Sequence, residues 1–135
     1  MPRMLDTSVL LDLVTADATW MRWSIEQFRR ASTEGPILLN PIVYAELAPA
    51  FDSQAGLDRW LKPTLFRRLP LPYEAGFRAS RAFLAYRARG GSKSSPLPDF
   101  YIGAHAEFEG WSLVTRDPTR YRSYFPSLTL ITPDP

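Results

Sequence analysis

Short apolar runs alternating with stretches of helical spacing constrain this chain more than any other feature. Arg3 to Asp6, Ile37-Leu38-Leu39, Trp111 to Val114 and Leu128 to Ile131 are each only a few residues long and read as buried strands. Leu65 to Leu69 reads as a strand or an extended connection. Between them the spacing predicts helices over Thr7 to Val14, Ala18 to Ser32, Ile42 to about Phe51, Ser53 to Leu61, Pro72 to about Arg89, Asp99 to Glu109 and Tyr121 to Tyr124. Asn40-Pro41 marks a helix start, an N-cap residue followed by proline at the first helical position, and Gly110 marks a helix end. In the helix after Pro72, Tyr73, Phe77, Ser80 and Leu84 share a face that Ala79 and Phe83 widen, and this is the predicted apolar face. Trp20, Ser24, Phe28 and Ala31 share another on the second helix. Gly90 to Pro96 reads as a loop. Strands this short alternating with helices predict an α/β fold in three layers, with a mainly parallel central sheet flanked by helices.

The chain of 135 residues is predicted to be one domain, 1–135, and its hydrophobic share of 45% suffices to bury a core. The absence of cysteine excludes disulfides, thiolate zinc sites and a thiol nucleophile. The single histidine, His105, excludes a histidine-rich metal site and reads as a surface or packed helix residue. A net charge of +2 permits nucleic-acid binding without demonstrating it. No apolar run reaches the length of a transmembrane helix, and Asp6 interrupts the N-terminus too early for a signal peptide, so a cytoplasmic protein is expected.

In a parallel α/β sheet, functional groups gather at the C-terminal ends of the strands. Asp6 follows the first strand, Glu46 lies on the helix after the second, Asp99 begins the helix leading to a later strand, and Asp117 follows that strand. Each acid also has an ordinary reading: a helix cap, a solvated helix residue, a macrodipole partner and a turn residue. The neighbourhoods argue otherwise. Met4-Leu5 and Val9-Leu10-Leu11 enclose Asp6, and Ile42-Val43-Tyr44-Ala45-Glu46-Leu47 embeds Glu46 where an unpaired acid is costly. Clustered carboxylates repel one another and need a cation, and oxygen ligands alone point to Mg²⁺ or Mn²⁺.

The segments Met4 to Leu13, Asn40 to Leu47, Pro96 to Ala106 and Leu113 to Asp117 resemble, in order and rough spacing, the four signature blocks of PIN-domain nucleases. The tail Tyr121 to Ile131 also resembles that family, and among its members the compact size resembles VapC-type toxins of toxin–antitoxin pairs. The resemblance implies a metal-dependent endoribonuclease that hydrolyses RNA phosphodiesters with water, leaving a 5′-phosphate and a 3′-hydroxyl. It also implies frequent homodimers and inhibition by a small cognate antitoxin. It assigns Asp6, Glu46, Asp99 and Asp117 to the metal, with Asp6 and Asp99 as direct ligands, and matches Thr115 to the family's hydroxyl beside the last acid. Thr7 and Ser8 are further candidates for orienting the ligands.

Cations near these acids, Arg116, Arg89 and Lys93 above all, with Arg87, Arg120 and Arg122, are candidates for phosphate contacts or are solvated surface residues. Trp20 and Trp23, at i and i+3, either pack in the core or offer a contact to a partner or a base. Two rival functions stand beside the nuclease. A haloacid-dehalogenase-type phosphatase would want an Asp where Ser8 stands, and a PIN-like module could bind RNA or a partner without cutting.

Overall fold

The computed structural model describes residues 2–91 and 97–133, and Lys93 with most of the predicted glycine-serine loop lies outside them. The chain runs β1 (Arg3–Leu5), α1 (Thr7–Thr15), α2 (Met21–Glu34), β2 (Ile37–Leu39), α3 (Pro41–Leu47), a 3₁₀ turn (Ala48–Ala50), α4 (Gln54–Trp60), β3 (Phe66–Arg68), α5 (Tyr73–Ala88), α6 (Leu97–Glu109), β4 (Ser112–Val114), α7 (Thr119–Tyr124) and β5 (Thr129–Ile131). The strands form one sheet in the order β3-β2-β1-β4-β5, and all four pairings are parallel. Among the described residues, no helix is long and apolar enough to cross a membrane.

Parallel strands covered on both faces bury every side chain, which explains why β2 and β4 are wholly buried and why their sequences show no alternation. β1 is central and pairs Met4 with Leu38 on one side and with Leu113 on the other. The chain steps outward from β1 to β3, then in the opposite direction through β4 to β5, and since such connections are right-handed as a rule, this reversal places helices on both faces. The change of direction leaves a crevice at the C-terminal ends of β1 and β4.

Cap chemistry sets the helix ends as their residues predict. Asn40 Oδ1 accepts from the Ile42 and Val43 amides at 3.0 Å, with Pro41 in the first turn. Gly110 ends α6 with φ +75°, a conformation that suits glycine. Asn40 also donates from Nδ2 to His105 Nδ1 at 3.0 Å, which leaves the histidine proton on Nε2. Burial pushes the His105 pKa down to about 4, so this ring is a neutral core member packed on Trp111.

The predicted apolar face of α5 is corrected. Tyr73, Phe77 and Leu84 are exposed, at 96%, 63% and 57%. Ala79 and Phe83 of the predicted face are buried and half-buried, and the buried side turns toward them, with Ala75 buried and Ala82 and Tyr86 half-buried. α5 packs on α6, and its small side chains let the two backbones approach, so the larger apolar residues face outward.

Candidate active site

Asp6 stands at the end of β1 and is the N-cap residue of α1, so a capping role and a functional one coincide. Its Oδ1 accepts from the Thr7 amide at 2.8 Å, and its Oδ2 accepts from Thr115 Oγ1 at 2.8 Å. Thr115, fully buried just after β4, also accepts the Asp117 amide at 3.1 Å. One hydroxyl thus joins the first acid to the backbone of the last. Across the crevice, Thr7 Oγ1 donates to Glu46 Oε1 at 2.7 Å, which ties α1 to α3. Asp99, in the first turn of α6, accepts from Arg120 Nη1 on α7 at 2.7 Å.

Asp6, Glu46, Asp99 and Asp117 line one cleft of about 210 Å³, with Thr7, Ser8 and Leu11 completing its walls. Asp6 is buried, Glu46 and Asp99 are intermediate and Asp117 is exposed, so the cleft deepens from Asp117 to Asp6. Burial pushes the Asp6 pKa up to about 7, and the Asp99 charge adds to the rise against hydrogen bonds that oppose it. Burial also raises Glu46 and Asp99; Arg120 opposes the rise at Asp99.

Ser8 lines the cleft, and Tyr121 lies in the core on α7. The Ser8 and Tyr121 hydroxyls are buried without a hydrogen-bond partner. Tyr121 was missed altogether as a site residue; it sits in α7, 1% exposed, and the charges of Asp6, Asp99 and Glu46 all act on its hydroxyl. No local pattern in the sequence marks it, because Asp117 lies before the helix that carries Tyr121.

The predicted cations divide. Arg116 gives Nε and Nη2 to the two oxygens of Asp12, at 3.1 and 3.2 Å, and lies over the Trp20 ring. Asp12 is buried and also accepts from Ser24 Oγ at 2.7 Å, so Arg116 is engaged by a structural carboxylate. Trp20 packs edge-on against Trp23, whose ring rests on the core. Arg89 lies over the Tyr124 ring, and Arg120 over the Tyr86 ring. A second cavity, of about 480 Å³, adjoins the cleft at Asp117 and is lined by Arg116, Thr119, Arg120, Ser123, Tyr86 and Tyr124 among others.

Among the described residues, no three acidic or histidine side chains form a group that could enclose a metal ion as they stand. Thr7 and Arg120 already occupy one oxygen each of Glu46 and Asp99. The donor set nonetheless suits a hard cation that keeps much of its water and takes one or two carboxylates from the protein. All its donors are oxygens, and burial together with the Asp99 charge raises the Asp6 carboxyl, a rise that a bound cation would oppose.

A family model described as the PIN domain matches residues 3–124. Several solved structures share the fold. VapBC2 from Rickettsia felis, bound to a DNA fragment from its promoter, aligns over 99% of this chain and 100% of its own, at 20% identity and a TM-score of 0.75. VapBC-1 from nontypeable Haemophilus influenzae aligns over 98% of each chain, at 19% identity and a TM-score of 0.71. DNA-bound VapBC from Salmonella typhimurium aligns over 98% of each, at 18% identity and a TM-score of 0.70. No curated protein matches the sequence.

Proposed function

This chain belongs to the PIN-domain family, and on that premise we propose that it is a divalent-metal-dependent endoribonuclease, the toxin of a toxin–antitoxin pair. The observation that carries the reading is the meeting of Asp6, Glu46, Asp99 and Asp117, distant in sequence, around one cleft at the switch point of a parallel sheet. A bound Mg²⁺ or Mn²⁺ neutralises such a cluster, lowers the pKa of water and stabilises charge on a phosphodiester.

The chain's own residues divide the remaining work. Asp6 and Asp99 would hold the ion, and Glu46 and Asp117 would bind it directly or through water. Thr115 fixes Asp6 and, through the Asp117 amide, the rim of the cleft. Thr7 holds one oxygen of Glu46 and leaves the other without a hydrogen bond from Thr7. RNA approaches past Asp117, where the adjoining cavity offers the Arg120 guanidinium for a phosphate and the Tyr86 and Tyr124 rings for bases. Water attack in line with the departing oxygen leaves a 5′-phosphate and a 3′-hydroxyl. The VapBC likeness supports a cognate antitoxin as partner, and a homodimer acting in the cytoplasm completes the proposal.

One observation favours a second reading. Arg120 already neutralises Asp99, as it would in a module that binds RNA without cutting it. Incubation of a total-RNA pool with wild type and Asp6→Asn, with Mg²⁺, Mn²⁺ or excess chelator and with the ends mapped, separates the two. The nuclease requires cleavage by wild type alone, only with metal, and 5′-phosphate ends. Cleavage that survives either Asp6→Asn or the chelator overturns it, and RNA retention without product favours the binding module.

A further inference from the structure

Asp117 is the outermost of the four acids, exposed where Asp6 is buried. An exposed side chain has little packing to hold it, so its place at the cleft is set by the loop that carries it. That loop, Thr115 to Asp117, enters from β4 and leaves through Pro118 into α7. Thr115 anchors one side of it, through the Asp6 carboxylate and the Asp117 amide. Arg116 anchors the other. Its Nε donates to Asp12 Oδ2 at 3.1 Å and its Nη2 to Asp12 Oδ1 at 3.2 Å, and the guanidinium lies 5.2 Å from the centre of the Trp20 ring. A fork closed on both oxygens of a carboxylate fixes direction as well as distance.

Both holders of Arg116 are themselves fixed. Ser24 of α2 donates to Asp12 Oδ2 at 2.7 Å. Asp17 Oδ1 accepts the Thr19 and Trp20 amides at 2.9 and 2.8 Å, which sets the turn that presents Trp20. Stability alone does not call for this arrangement. An ion pair buried as deeply as Asp12 is often matched by apolar residues, because its charges must leave water. What an apolar pair does not supply is a fixed orientation for the backbone on which Arg116 and Asp117 are adjacent. Asp6 caps α1, and Asp12 stands within about two turns of it on the same helix. One helix thus carries the first acid and the residue that grips the loop of the last.

We propose that Asp12 is a positioning residue: through the Arg116 fork it docks the loop Thr115 to Asp117 on α1, and so sets Asp117 at the rim of the cleft that holds Asp6. Its consequence for catalysis rests on the metal-nuclease reading above; the docking itself does not.

The test uses the full chain with Arg116→Lys and Asp12→Asn. Arg116→Lys keeps a cation for Asp12 but loses the two-pronged geometry. Asp12→Asn releases Arg116 and keeps its charge. Amide hydrogen exchange at Asp117 is followed without metal, and kcat and KM for RNA with Mn²⁺, all well below each melting midpoint so that folded protein is measured. Both variants are expected to exchange the Asp117 amide faster, because its bond to Thr115 Oγ1 then lies in a looser loop. Both are expected to lose kcat about 10-fold with KM for RNA unchanged. Wild-type kcat in the folded variants, or wild-type exchange at Asp117, overturns the inference. A raised KM in Arg116→Lys with kcat and exchange unmoved also overturns it and assigns Arg116 to the substrate. A wild-type chain that cuts no RNA with Mn²⁺ overturns the nuclease reading alone, since exchange, read without metal, still decides the docking.

Discussion

Arg120 Nη1 donates to Asp99 Oδ2 at 2.7 Å, so a cation from α7 rests on a carboxylate that a metal would use. Both side chains are about one-third exposed, at 33% and 32%, and such a pair contributes about 1 kcal/mol or less. The pair is therefore weak enough for a divalent ion to displace it, yet it taxes binding. Arg120→Gln is expected to tighten Mn²⁺ binding by about 3-fold, read by calorimetry in low salt. Weaker Mn²⁺ binding by the folded variant would mean that Arg120 assists the ion.

Asp6 gives the site a pH signature. Its folded pKa is about 7 against an ordinary 3.8, chiefly through burial. Between those values the folded chain keeps a proton that the unfolded chain has released. Stability therefore falls as pH rises from about 4 to about 7 and stays lower beyond. Without metal, Asp6→Asn should raise the melting midpoint at pH 8, by about 5 °C, and change it little near pH 4. Added Mg²⁺ should then raise the wild-type midpoint and leave that of Asp6→Asn unmoved. A midpoint for metal-free Asp6→Asn that falls at pH 8 contradicts the sign of the shift.

Arg116 makes a contrasting prediction, because its partner Asp12 is only 2% exposed at the side chain. Removing the cation strands a buried carboxylate whose other side-chain donor is Ser24. Arg116→Ala is expected to cost about 3 kcal/mol of stability in urea unfolding. Arg116→Ala combined with Asp12→Asn should recover part of that loss, since no charge is left unpaired. Unchanged stability with weakened RNA binding would show instead that Arg116 serves the phosphate.

Asn40, Asp6 and Tyr73 mark where sequence suffices and where it stops. Asn40-Pro41 and Gly110 are legible because caps are local chemistry: the residue that satisfies a helix end stands beside it in the chain. The meeting of the four acids is legible at one remove, since parallel strands joined by helices bring their C-terminal ends to one edge wherever the intervening chain goes. The exposure of Tyr73 and Phe77 is not legible, because which face of α5 is buried depends on how closely α6 approaches, and small residues permit the closest approach. Nor is the partner of Arg116, which is 104 positions away at Asp12, or the unpaired state of the Tyr121 hydroxyl. Both depend on side chains from separate elements arriving together, and no periodicity encodes that.

Gly103 tests whether α7 is held tightly against α6. It lies on α6 one turn after Asp99, and a Cβ there would stand 2.7 Å from Phe125 Cε2 and 3.0 Å from Tyr121 Cδ1. Alanine would ordinarily favour a helix interior over glycine by about 1 kcal/mol. Here Phe125 and Tyr121 are 2% and 1% exposed, and Phe125 also packs on Phe100, so neither ring has open space to enter. Overpacking of this kind costs about 1–3 kcal/mol and outweighs the propensity gain. Gly103→Ala is therefore expected to lower stability in urea unfolding. The displaced element is α7, which carries both Arg120 and Tyr121, so Mn²⁺ affinity should change as well. A more stable Gly103→Ala with unaltered Mn²⁺ affinity would show that α7 shifts freely and that the placement of Arg120 does not govern the ion.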